Sequence, residues 1–509
     1  MIGSGIRQAR ATASFGVGPF EWGLIGVACL WTGMSLSYPF GWDQGILSWA
    51  GHVVVRGGMP YRDAWDMKGP VAYYVFALTE AIFGVNLWGV RVVDAAFLIL
   101  TSACIGRAVS KLTDPATGRW SAILFYLWYA SHSYWHTAQP DGWAGMLMAV
   151  VMLPALVQGD LIGPLKMGLA GACVGLMSLV KPTYAVFLVL PLLSSFSTRA
   201  SRWVVDAAAV MGGWIVPIAL CVGWFEAHGA LRDLWAVYVR YPSTAYTELG
   251  ALAFGERARG LVEYLFQAPV MAVGLPMVIV GALALWQTHR APALALVSWI
   301  LLVAFIVVLQ GRFFAYHWLP MLPAAVVLGA VGFQAVLPRA KALVITLVAV
   351  SVSHCLVPIV FEQMRFVSWI TGRTDTAHYY DGYGEAGNDM RAVDWLRNRA
   401  REGKVFVFGW NTGIAWLGHR ETVSRFGFSM PLLIGEGLDV RAEYRDELLR
   451  TLRADPPTYI ILGTQSQRIL RRPMTVADFP ELTDLVHKSY VKVAEFGAIQ
   501  FHERGVGHR

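Results

Sequence analysis

A chain of 509 residues with 56% hydrophobic and only 15% charged residues, and a mean hydropathy of +0.49, does not have the make-up of a soluble globule; water-soluble domains carry about a quarter charged residues. The net charge of +7 would suit nucleic acid, but the basic residues fall in short loops between apolar blocks and form no groove-sized patch, which excludes that class. Cys29, Cys104, Cys173, Cys221 and Cys355 all lie inside apolar blocks without a CxxC pair, so neither disulfides nor a cysteine metal centre is expected.

The apolar residues come in blocks of roughly 17–25, the length that crosses about 30 Å of hydrocarbon at 1.5 Å per residue. Arg7 and Arg10 precede the first, from Trp22 to about Leu36, and no Ala-x-Ala cleavage site follows it. This reads as a retained span, not a removed signal peptide. Spans are predicted near 21–38, 90–109, 119–137, 143–158, 167–180, 183–198, 203–224, 266–287, 292–310, 315–337 and 342–361. With the N-terminus cytoplasmic, the inner loops hold Arg107 and Lys111, Lys166, Arg199 and Arg202, His289 and Arg290, then Arg339 and Lys341. That alternation obeys the positive-inside rule and leaves the C-terminus outside. Residues 70–84 are apolar but break the alternation if counted as a span, so they read as a short interfacial or re-entrant helix.

The fold class is therefore an all-α polytopic membrane protein of about 11 transmembrane helices, with helices in its outer loops and a small C-terminal α/β domain. Residues 1–361 form the membrane domain, with a first outer loop at 39–89 and a long outer loop at 225–264; residues 362–509 form the outer tail. Within the tail a Gly-rich linker starting at Asp381 leads to an amphipathic helix with Met390, Val393, Trp395 and Leu396. A strand (KVFVFGW), a helix near 440–454, a second strand (YIILG) and a hairpin (VKVAEFGAIQFHE) follow, the pattern of an α/β unit. The tail has no GxGxxG or GxxxxGK[ST] run, so no nucleotide site is expected there.

The charges point to the chemistry. The first outer loop carries the acids Asp43, Asp63 and Asp66 and the bases Arg56, Arg62 and Lys68. Asp43 follows the first span by a few residues, where an ionised group loses solvation and persists by pairing or by serving a site. Asp141 follows Pro140 in the loop after the third span; Lys181 (LVKPTY) and Arg312 (GRFFAYHW) lie at outer span ends, with His317 close to Arg312. Each has an ordinary reading, as an interfacial ion pair, a polar hairpin or a snorkelling cation. Together they bring acids and bases from separate segments to one predicted face, as holding an anionic headgroup and activating an acceptor beside it requires. His132 and His136, four apart, could join Asp141 or Asp43 in a divalent metal site, though two interfacial histidines are more often structural.

YRDAWDMKGPVAYYVFALTEAIFGVNLWGVRVVDA resembles the first outer loop of GT-C membrane glycosyltransferases, the protein O-mannosyltransferase-like and lipid A aminoarabinose transferase-like groups. AQPDGW is similar to their second acidic loop, GLMSLVKPTYAVFLVLP to their Leu-x-Lys-Pro segment and GRFFAYHWLPMLP to their late aromatic–basic motif, in that order over roughly 20–340. Two departures stand out. Asp43 is followed by Gln44 where many relatives have a second acid, so the acid carries over and a two-carboxylate metal arrangement is put in doubt. Lys-Pro-Pro is replaced by Lys68-Gly69-Pro70.

The resemblance implies an inverting transferase of the cytoplasmic membrane that takes sugar from a polyprenyl-phosphate carrier to a lipid, glycan or protein acceptor outside. Asp43 would be the general base. Lys181 and Arg312 would neutralise the leaving phosphate, with His317 a further phosphate contact. Asp66, Lys68 and Asp141 would order the loop, position the sugar or hold a metal, and Arg62 would contact the donor phosphate or substrate. The alternative is a transporter or lipid flippase, which predicts paired repeats and charges near the midplane; no repeat is seen and the charges gather at one predicted face.

Overall fold

The computed structural model describes residues 17–158, 163–244, 254–267, 269–399, 403–435, 439–464 and 474–505; Arg7 and Arg10 lie outside them. The protein is mostly helical, and a helix stands at each of the eleven predicted spans. Among the described residues, Gly89–Leu112, Trp203–Ala227, Arg290–Gln310, Ala315–Val336 and Lys341–Ile370 are long and apolar enough to cross a membrane. Pro70–Phe83 has 14 residues, about 21 Å of helix, short of the roughly 30 Å of hydrocarbon.

Two local expectations are corrected. The helix expected over 119–137 ends at Ala130. There Ser131 Oγ and His132 Nδ1 turn back onto the Trp128 carbonyl, at 2.7 and 2.8 Å, and Ser133 takes a left-handed φ of 59°. His132 and His136 therefore do not share a face of one continuous helix. Asp141 is not in a loop: Pro140 opens the Pro140–Gln158 helix and Asp141 lies in its first turn, where proline's fixed φ is favourable.

The chain packs as two compact units. The first comprises residues 1–36, 91–221 and 252–364. Its helices meet backbone to backbone at glycines. A Cβ on Gly281 would sit 1.8 Å from the Leu328 carbonyl oxygen, and one on Gly332 2.0 Å from that of Met277, so Pro269–Thr288 and Leu322–Val336 touch without side chains between them. Gly171 against Val210 and Gly213 against Gly168 repeat the device. Lipid provides no hydrophobic drive between helices, so close approach at small residues supplies the packing. The Trp203–Ala227 helix turns Val204 and Leu220 outward, 73% and 70% exposed, as a lipid-facing side requires.

The second unit comprises residues 37–90, 222–251 and 365–509. Its sheet contains β1 (Val405–Phe408), β2 (Tyr459–Leu462), β3 (Tyr490–Phe496) and β4 (Ile499–Arg504) in the order β1-β2-β4-β3. β1 and β2 are parallel, and β3 and β4 form an antiparallel hairpin with β4 beside β2. The amphipathic Ala386–Arg397 helix buries Val393 and Leu396, and its Trp395 meets Phe501 at 4.5 Å.

The early loop is tied to this tail. Trp65 N donates to the Arg425 carbonyl at 2.6 Å, and the Arg425 guanidinium donates to the Tyr61 carbonyl at 3.1 Å and to both Glu447 oxygens at 2.6 and 2.7 Å. Glu80 accepts from Trp416 Nε1 at 2.8 Å and lies 2.5 Å from His52 Nδ1, joining the Trp42–Val55 and Pro70–Phe83 helices to the tail.

Gly281→Leu should force the Leu328 backbone aside and lower stability by about 1–3 kcal/mol or more. Thermal unfolding in detergent should show a melting point several degrees below wild type, with Gly274→Leu, where nothing lies within 4 Å of a built Cβ, unchanged.

Candidate active site

Five of the eight residues singled out as catalytic or substrate-binding form two clusters, one in each unit, and Arg312 and His317 touch each other in the first unit. In the second unit the Trp42–Val55 helix opens at Gly41 and places Asp43 in its first turn, where the positive end of the helix dipole favours a carboxylate. Lys68 Nζ lies 2.9 Å from Asp43 Oδ1 and 3.4 Å from Asp66 Oδ2. Asp66 is fully buried, whereas the Asp43 side chain keeps 20% of its surface exposed. The lysine carbonyl is held too: Tyr61 and Tyr73 both donate to it, at 2.8 and 2.9 Å. Tyr61 reaches that position with a left-handed φ of 71°, a conformation non-glycine residues seldom adopt.

Burial opposes each charge in this cluster, and the outcome differs by group. Burial pushes the Asp66 carboxyl above its ordinary range; the Lys68 ammonium pulls it down, and the Asp43 charge adds to the rise. Burial would lower Lys68, but two carboxylates outweigh it and hold the ammonium well above its ordinary value. Lys68 thus stays charged, and Asp66 ionises less readily than an ordinary carboxyl.

In the first unit, Lys181 Nζ lies 2.5 Å from Asp141 Oδ1 and 3.4 Å from Gln310 Oε1, and Tyr184 donates to the same Asp141 oxygen. His317 Nδ1 lies 2.7 Å from the Arg312 carbonyl oxygen. Arg312 is buried, 8% exposed.

Arg62 stands apart from both clusters in its hydrogen bonds, which go to Asp63 and to the His228 carbonyl. His136 packs its ring 5.9 Å from that of Tyr316. Among the described residues no group of three His, Cys, Asp or Glu side chains is placed to hold a metal ion.

Tyr184, Gln310 and Asp94 were missed. Tyr184 stands inside the LVKPTY motif; Gln310, an uncharged polar residue closing an apolar block, gives little warning. Asp94, in the Gly89–Leu112 helix, accepts from Tyr129 Oη at 2.6 Å and Trp143 Nε1 at 2.9 Å. An acid in an apolar run was the available signal.

The loop motifs led to the expectation of a GT-C-like fold, and the likenesses to known proteins bear on it. A family model described as dolichyl-phosphate-mannose-protein mannosyltransferase matches residues 67–224. The crystal structures of ArnT from Cupriavidus metallidurans share this fold. The form bound to undecaprenyl phosphate superposes with a TM-score of 0.61 at 12% identity, covering 96% of this chain and 99% of that one. The apo form gives 0.62 at 13% identity, covering 95% and 97%. Two curated relatives are named undecaprenyl phosphate-alpha-4-amino-4-deoxy-L-arabinose arabinosyl transferase, one from Pseudomonas paraeruginosa and one from Pseudomonas aeruginosa. Both are 29% identical, over 284 and 291 residues, or 51% of this chain and 49% of each relative. The chain spans about half the length of the curated relatives it matches.

Lys68→Met should leave two carboxylates facing each other without a cation, a loss of about 3–5 kcal/mol for a broken buried pair. The Asp66 carboxyl is already raised, so its folded form favours the proton. The stability tied to that proton is present in acid and is lost as pH rises through the folded value. Removing the ammonium raises that value further, so the melting-temperature deficit of Lys68→Met should be larger at pH 8 than at pH 5. An equal deficit at both would show that the lysine does not set the ionisation of the acids.

Proposed function

We propose that this protein is an inverting glycosyltransferase of the cytoplasmic membrane, moving a sugar from a polyprenyl-phosphate carrier to an envelope acceptor at the outer face. The observation that carries the proposal is the Asp43–Lys68–Asp66 cluster, in which one ammonium serves two carboxylates and the more exposed acid sits in the first turn of a helix. The relatives named as undecaprenyl-phosphate aminoarabinose transferases support a lipid-phosphate donor carrying a pentose of that kind. The eleven-span topology, with residues 362–509 outside, remains part of this reading.

Asp43 takes the proton of the acceptor hydroxyl as its oxygen attacks the anomeric carbon. The bond from that carbon to the phosphate oxygen breaks, the electron pair leaves with the polyprenyl phosphate, and the anomeric centre inverts. Lys181 and Arg312 meet the charge that grows on the phosphate. Asp66 and Lys68 orient Asp43, and Asp141 and Tyr184 orient Lys181.

Asp43→Asn keeps the shape and removes the basic carboxylate, so transfer should fall about 10²–10⁴-fold while the lipid-linked donor still binds. The measurement is turnover on purified, monodisperse protein; activity within about threefold of wild type, far below that range, would move the base to Asp66 or Asp141.

Lys181→Ala tests the phosphate contact. A charge-assisted hydrogen bond contributes roughly 1.5–3 kcal/mol, so the donor KM should rise about tenfold or more. A lower melting temperature with unchanged donor KM would make Lys181 merely the partner of Asp141.

A further inference from the structure

Asp94 is a buried acid in the second turn of the Gly89–Leu112 helix, which is long and apolar enough to cross a membrane. An ionisable side chain in such a place is costly and is kept where it serves a site. Its Oδ1 accepts two hydrogen bonds, from Tyr129 Oη at 2.6 Å and from Trp143 Nε1 at 2.9 Å. The two donors bracket Asp141 in the chain. Tyr129 lies near the end of the Pro115–Ala130 helix, before the connection that leads to Asp141, and Trp143 stands two residues beyond it.

The tie at Trp143 fixes a direction. At 3.6 residues per turn, side chains two apart on a helix point about 200° apart. Trp143 held toward Asp94 therefore turns Asp141 to the other side of the Pro140–Gln158 helix, where Lys181 Nζ lies 2.5 Å from its Oδ1. A Cβ on Gly145 would stand 2.4 Å from Pro320 Cα, so the helix backbone is seated against that segment. Rotation about the helix axis is the freedom left, and the Trp143 hydrogen bond removes it.

The entry to the helix is fixed from the same acid. Tyr129 Oη, donating to Asp94, accepts from Ala138 N at 3.1 Å, and Ala138 has a left-handed φ of 52°. Residues other than glycine keep such a conformation only where their surroundings impose it. Arg91, three residues before Asp94 on the same helix face, donates to Thr137 Oγ1 at 2.8 Å and to the Tyr134 carbonyl at 3.0 Å. One helix face thus holds both the connection and the first turn that carries Asp141.

We propose that Asp94 is a positioning residue for Lys181: by holding Trp143 and, through Tyr129, the Ala138 amide, it sets the direction of Asp141 and so of the ammonium that Asp141 holds. The consequence for a lipid phosphate rests on Lys181 as its receptor; the placement of the ammonium does not.

The test is competitive acylation of the full chain in detergent with N-hydroxysuccinimidyl acetate, read by mass spectrometry as the rate at Lys181 relative to the exposed Lys341. Acylation needs the amine lone pair, which an ammonium held by a carboxylate does not offer. Trp143→Phe keeps a ring and removes the N–H, and should speed acylation of Lys181 about fivefold, the effect of one hydrogen bond. Asp94→Leu, which accepts neither hydrogen bond, should speed it at least as much. Asp94→Asn, whose oxygen can accept both, should recover most of the difference. Melting temperatures show that each variant is folded at the temperature of labelling. In turnover assays Trp143→Phe should raise the donor KM about fivefold and add nothing to Lys181→Ala, whereas a merely structural loss would add the same factor in both backgrounds. Lys181 labelled at the wild-type rate in Trp143→Phe, or an equal KM factor in both backgrounds, would overturn the role of Asp94. Faster labelling with an unchanged donor KM would keep that role and remove the phosphate reading of Lys181.

Discussion

One ammonium lies between two carboxylates in the second unit, and the surrounding loop is built to keep it there. Two ionised acids side by side with one solvated face repel each other, and burial adds to the penalty. Lys68 answers both by sitting 2.9 Å from one and 3.4 Å from the other. A flexible lysine stem would spend most of its time elsewhere in water, so the backbone is fixed instead. Two tyrosine hydroxyls hold the Lys68 carbonyl, and Tyr61 accepts a left-handed backbone to do so. The strain is local, and the contacts that hold it in place come from the tail.

That dependence on the tail explains why the loop alone is not the site. Arg425 reaches the Tyr61 carbonyl while its planar fork is held by Glu447, and the Trp65 amide is taken up by the Arg425 carbonyl. A bidentate guanidinium–carboxylate pair is directional as well as strong. The turn between Met59 and Asp66 is therefore positioned by residues several hundred places later in the chain. Trp65 completes the anchor, packed against Tyr241 at 4.8 Å and Phe428 at 5.7 Å. An acid-bearing loop held in this way presents Asp66 and Lys68 in one arrangement, which charge positioning in catalysis demands.

How much of this could be read beforehand follows from what stands out in an apolar chain. Spans announce themselves by length, and a helix stands at each of the eleven predicted places. Asp43, Lys68, Asp141 and Lys181 stand out because a charge beside a span needs a reason. Their partners do not. Tyr184 and Gln310 are uncharged, and the contacts of Tyr61 and Tyr73 go to a backbone carbonyl, which no residue type advertises. The break after Ala130 was hidden as well, because a serine and a histidine turning back on the Trp128 carbonyl look in sequence like the end of any polar helix.

The two clusters differ in formal charge, and that difference suits the roles proposed for them. Two carboxylates against one lysine leave the Asp43 cluster negative by one unit. Asp141 against Lys181 is balanced. A base that must take a proton works best where a surplus carboxylate exists, because pairing both acids fully would lower their proton affinity. A receptor for a leaving phosphate needs a cation that no surplus carboxylate outweighs. Lys181 keeps capacity for that task despite its partner: an ammonium has three donors, and Asp141 and Gln310 engage two of them. The third is enough for one phosphate oxygen. The carboxylate that balances Lys181 in charge also holds a long, flexible cation in a fixed direction, while Tyr184 takes part of the carboxylate's hydrogen-bonding capacity. Orientation and residual charge are thus supplied by the same pair.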